Sequence, residues 1–122
     1  MSGDDQIAIS VENGVTVVRL GTDFASIYES DLARLDGIRE LADTATPARV
    51  VIDLSQTRYF GSAFIGFLMA TAGRLKDRGD GQLGISGVQS FATMALEATK
   101  ADTLLGLFDS VDEAVASLRP TD

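Results

Sequence analysis

Apolar and polar positions along the chain change their period several times, and each change marks an element. Ile7, Ile9 and Val11 alternate with Ala8 and Ser10, the pattern of a half-buried strand. Asn13-Gly14 follows, the strongest short hairpin signal, and Val15-Thr16-Val17-Val18-Arg19-Leu20 returns as a second, antiparallel strand. Gly21 to Tyr28 has no period. Ser30 then reads as an N-cap with Asp31 in the first turn, and Leu32, Leu35, Ile38, Leu41 and Ala42 form an apolar stripe at helical spacing. Thr46-Pro47 ends that helix.

From Val50 to Ser55 the alternation disappears, as in a strand covered on both faces. Gln56 to Phe60 is a turn, and Ala63 to Ala72 is almost wholly apolar. That run is too short to cross a bilayer and is closed by Gly73 and Arg74, so it predicts a buried core helix. Gly79-Asp80-Gly81 is a helix stop with a turn, and Gln82 to Ser86 a short strand. Val88, Phe91, Ala95 and Leu96 predict a further helix ending near Thr99, and Leu104 to Phe108 a last edge strand. Ser110-Val111-Asp112-Glu113 has the capping-box pattern, with Val111, Ala114, Val115 and Leu118 on one face and Pro120 as the stop.

Strands alternating with helices after an opening hairpin predict an α/β domain. Its sheet is expected to be mixed and mostly parallel, of about five strands, with about four α-helices. Residues 1–5 read as a flexible tail and 6–119 as the domain.

Composition narrows the chemistry. The 122 residues contain no cysteine and no histidine, which removes thiolate catalysis, the usual general base and the commonest metal ligands. An enzyme is not expected, nor a metal or other cofactor. Ten basic against eighteen acidic residues give a net charge of −8, so neither nucleic acid nor an anionic membrane is an expected partner. The acidic start without an apolar run points to the cytoplasm. No phosphate-binding glycine motif follows a strand, and Gly61-Ser62-Ala63-Phe64-Ile65 lacks the closing glycine of a nucleophile elbow.

Ser62 stands where extended chain becomes helix, after Gly61, which is expected to supply a backbone shape most residues resist. Two readings stay open. The hydroxyl is an N-cap accepting from the amide of Phe64 or Ile65. Alternatively, it carries a phosphate, which the positive end of a helix tolerates and which adds close to two negative charges. Phe64, in the first turn, is the preferred candidate for an exposed partner-binding aromatic.

The order of elements, the segment Leu54 to Leu68 and the tail Thr99 to Ser110 with Glu113-Ala114 resemble the STAS domain of bacterial anti-sigma factor antagonists. The resemblance implies a STAS-like single domain that binds an anti-sigma factor with serine-kinase activity and is released by phosphorylation. By position Ser62 is the implied phosphoacceptor, and Ile65 and Gly66 match the leucine and glycine after it. Gly61 replaces the family's aspartate, Ala63 its second hydroxyl residue and Phe64 its first glycine; Gly21-Thr22-Asp23-Phe24 matches only partly the segment after the second strand. The expected contact surface is Phe60, Gly61, Ser62, Ala63 and Phe64, bordered by Asp23 and Phe24. The alternative is a scaffold or assembly module of the same fold in which Ser62 is only a cap. The sequence leaves the oligomeric state open.

Overall fold

In the computed structural model, which describes residues 7–79, 81–88, 96–97 and 105–120, the opening hairpin is formed by β1 (Ile7–Glu12) and β2 (Val15–Leu20). Asn13 and Gly14 have φ of 52° and 81°, the left-handed pair that a two-residue turn between twisted strands requires. A 3₁₀ turn, Thr22–Phe24, leads into the two-residue β3 (Ser26–Ile27). A second 3₁₀ run, Glu29–Leu35, precedes α1 (Asp36–Thr44). Then come β4 (Arg49–Asp53), β5 (Tyr59–Phe60), α2 (Ser62–Lys76), β6 (Gln82–Ser86), β7 (Gly106–Phe108) and α3 (Val111–Leu118).

The main sheet runs β1-β2-β4-β6-β7. It is mixed: β1 pairs antiparallel with β2, and the β2–β4, β4–β6 and β6–β7 pairs are parallel. Among the described residues there are three α-helices rather than about four. The helix expected around Val88 to Thr99 lies largely outside those residues, as does the start of the strand expected from Leu104; β7 itself begins at Gly106.

Val18, Leu20, Val50, Ile52, Leu83 and Ile85 pack under α1 and α2 with Ile38, Phe64, Leu68 and Leu75. Val15, Val17 and Val51 face α3 through Ala114, Val115 and Leu118. Burial on both faces explains why β4 shows no alternation. Helix α3 sits close enough to the sheet that a Cβ on Gly84 would stand 2.8 Å from Leu118 Cδ1. At its start, Ser110 Oγ accepts from the Glu113 amide at 3.2 Å, so this cap is the one its sequence describes.

The first helix departs from expectation at its entry. Ser30 is not its cap: the Asp31 carboxylate accepts from the Tyr28 amide at 2.8 Å, and a 3₁₀ run carries Leu32 and Leu35 before α1 opens at Asp36. The apolar spacing is preserved because 3₁₀ and α turns both bring residues three apart onto one side.

Candidate functional site

The start of α2 is positioned by a small second sheet in which β3 and β5 pair in parallel, Ser26 beside Tyr59 and Ile27 beside Phe60. The Arg58 and Tyr59 amides both donate to the Ala25 carbonyl, at 2.8 and 3.2 Å, and the Gly61 amide donates to the Ile27 carbonyl at 3.1 Å. Beneath them the buried Thr57 hydroxyl donates to the Phe24 carbonyl at 2.9 Å. These bonds fix residues 57–61 against residues 24–27 before the helix begins.

Gly61 is the N-cap, and α2 opens at Ser62 rather than Ala63. The amides of Phe64 and Ile65 reach the Gly61 carbonyl at 3.1 and 3.4 Å. They are the two amides a serine cap would have used, so the structural-cap reading of Ser62 is corrected: it is the first helical residue. Its side chain is exposed, and its hydroxyl has no hydrogen-bond partner among the described residues. Nor is Gly61 there for an unusual backbone shape. Its φ of −91° and ψ of 177° are ordinary extended values, and a Cβ would meet only the Tyr59 hydroxyl, at 3.8 Å.

The first turn of α2 contains no acidic residue, while α1 opens with Asp36 and α3 with Asp112 and Glu113. Among the three α-helices described, α2 alone leaves the positive end of its dipole uncompensated by its own side chains. The amides of Ser62 and Ala63 have no acceptor within the helix. An anion carried on the Ser62 hydroxyl would therefore meet fixed positive partial charge and free donors.

The expected aromatic rim is rearranged. Phe64 is 1 % exposed, Phe24 0 % and Phe60 8 %, so none of the three phenylalanines presents a ring to a partner. Phe64 lies between Phe60 and Phe67, with ring centroids 5.3 and 5.8 Å away. Phe24 is capped by the Arg34 guanidinium at 4.6 Å. Asp23 is exposed and lies 3.5 Å from Arg34, in the 3₁₀ turn that precedes β3. Ala63 is half-buried.

Among the described residues the exposed aromatics are Tyr28 and Tyr59, at 54 % and 46 %, their ring centroids 5.5 Å apart. Neither tyrosine is among the contact residues expected from the sequence. The available signal was parity: in extended chain Tyr59 and Phe60 point to opposite sides, so one of them faces outward. Among the described residues no cluster of acidic side chains is placed to hold a metal ion.

Comparison with known proteins places this geometry. The chain matches the family model described as "Mlab, STAS domain" over residues 8–107. It is similar in structure to a STAS domain protein, an anti-sigma factor antagonist, from Planctomyces limnophilus, with a TM-score of 0.84 and 24 % identity over 93 % of this chain and 98 % of that one. An anti-sigma factor antagonist from Mycobacterium paratuberculosis gives 0.74 and 26 % over 98 % and 100 %. The antagonist SpoIIAA in its unphosphorylated form gives 0.71 and 11 % over 94 % and 99 %. No curated protein matches the sequence. Anti-sigma factor antagonists thus share the fold, the family model spans most of the length, and the chain belongs to the STAS domain family.

Proposed function

We propose that the chain is an anti-sigma factor antagonist acting by partner switching, and that Ser62 is its switch. The partner is an anti-sigma factor with serine-kinase activity, bound in the cytoplasm through the surface around Ser62. One observation carries the reading: an exposed serine hydroxyl without a structural bond, on the first residue of a helix whose opening turn has no acid. In the kinase reaction the Ser62 oxygen takes the γ-phosphoryl group of ATP, ADP leaves, and the hydroxyl proton passes to the kinase.

The contact surface under this reading is Tyr59, Gly61, Ser62 and Ala63, with Tyr28 beside Tyr59 and Asp23 at the border. Phe24, Phe60 and Phe64 are buried and are not part of it. Tyrosines supply large contact area at low entropy cost, and a phosphate close to two charges beside them opposes the burial of that surface. The test is binding of the cognate anti-sigma factor to wild type and to Ser62→Asp. Weaker binding by Ser62→Asp supports the switch; full-strength binding by a correctly folded Ser62→Asp sinks it.

A second reading, a scaffold or assembly module without phosphorylation, is favoured by Phe64, which fills the core where the antagonist signature has glycine. It leaves the exposed Ser62 hydroxyl without a role, because the cap that would have explained it is Gly61.

A further inference from the structure

Among the described residues the main sheet ends on one side in β1, a six-residue strand without proline, and on the other in the three-residue β7. The register of β1 on β2 runs Ile7 with Leu20, Ile9 with Val18, Val11 with Thr16 and Glu12 with Val15. A two-residue turn makes Glu12 and Val15 a hydrogen-bonded pair. Alternation then assigns the inward bonds to Ser10 and Ala8 and turns the amides and carbonyls of Ile7, Ile9 and Val11 outward.

The same residues carry apolar side chains. Ile9 is 54 % exposed and Val11 69 %, although their cross-strand neighbours Val18 and Thr16 are buried. Ile7 is half-buried against the core. The strand therefore offers open backbone groups and uncovered apolar surface together, without the proline or bulge that usually blunts a free edge and with no charge between Ile7 and Val11. Its one acid, Glu12, lies at the turn end, held by Arg19 at 2.8 Å and Ser10 at 2.9 Å.

We propose that β1 is a homodimer interface, pairing antiparallel with β1 of a second copy of this chain about a twofold axis at Ile9. The segment is complementary to itself in that register. Ile9 opposes Ile9 of the second copy, Ile7 opposes Val11, and Ala8 opposes Ser10. No charged residue faces another across the pair, and every outward amide and carbonyl between Ile7 and Val11 finds a partner. This is the self-matching that an isologous interface requires, and it joins two five-stranded sheets into one.

The test is the mass of the full chain in solution by analytical ultracentrifugation, with wild type, Ile9→Lys and Ile9→Pro. Lysine removes the apolar pairing and brings two like charges together at the axis. Proline removes only an outward amide, which an edge strand tolerates. A wild-type dimer that both substitutions reduce to monomer, with unchanged circular dichroism, is the expected result. In the dimer the Val11 amide should exchange roughly tenfold or more slowly than in the Ile9→Lys monomer. A wild-type monomer throughout the micromolar range overturns the proposal. So does a dimer that survives Ile9→Lys, and one broken by lysine but untouched by proline would be an apolar contact rather than strand pairing.

Discussion

Tyr28 and Tyr59 lie ring beside ring, 5.5 Å between centroids and about half exposed, Tyr59 in β5 and Tyr28 directly after its partner strand β3, on the segment that leads into Ser62. They come from segments about thirty residues apart in sequence, brought together by the bonds that tie residues 57–61 to residues 24–27. The surface of the candidate switch is thus built on a pre-formed platform.

The tyrosines and the buried Phe64 should behave oppositely. Tyr59→Ala is expected to weaken partner binding by about 2 kcal/mol, as for a central interface aromatic, while leaving the melting temperature almost unchanged. Phe64→Ala is expected to cost about 3–5 kcal/mol of stability, because Phe64 is 1 % exposed and contacts two other rings. Titration calorimetry and urea melts on the two variants make the comparison.

Two serines at helix starts provide a matched pair. Ser110 accepts from the Glu113 amide, so Ser110→Ala should lose about 1 kcal/mol. Ser62 caps nothing, so Ser62→Ala should stay within about 0.5 kcal/mol of wild type. Denaturant melts decide it; equal losses would return Ser62 to a structural role.

Glycines separate in the same way. Gly61→Asp puts back the acid of the antagonist signature at an extended N-cap with room for a Cβ, and should stabilise by a few tenths of a kcal/mol. Gly81→Ala would drive a Cβ into the backbone carbonyl of Leu75, which no side-chain movement relieves, and should prevent normal folding. Expression and thermal melts of both variants are the check.

The Glu12–Arg19 pair sets a small acid dependence. The Arg19 hydrogen bond, with a second from Ser10, holds the Glu12 carboxyl below its ordinary value of 4.5. The stability it contributes is present above that value and is lost as pH falls through the lower folded one. Both side chains are partly exposed, so the effect is about 0.2–1 kcal/mol and weakens with salt. Urea melts below pH 5 should show a shallower acid loss in Glu12→Gln than in wild type.

What the sequence made legible were features with local chemistry. Asn13-Gly14 named the hairpin, Ser110 with Glu113 named the last cap, and the unbroken apolar run of β4 named the two-sided layer. What it hid depended on distant chain. β3 and β5 are two residues each and have no period; they exist because residues 57–61 bond to Ala25 and Ile27. The site shifted for a one-residue reason. With Gly61 rather than Ser62 as the cap, the serine is released from structure, and Phe64 turns into the core beside Phe60 and Phe67. Glycine and serine are both acceptable caps, so local propensity does not choose between them.

The most direct test of the switch is phosphate occupancy at Ser62, read by peptide mass spectrometry on the protein isolated from its own cells under growth and under stress. Occupancy at Ser62 that changes between the two conditions is the predicted result. Its absence in both, with the peptide around Ser62 fully covered, would contradict the account and leave a STAS domain that assembles without a phosphoryl switch.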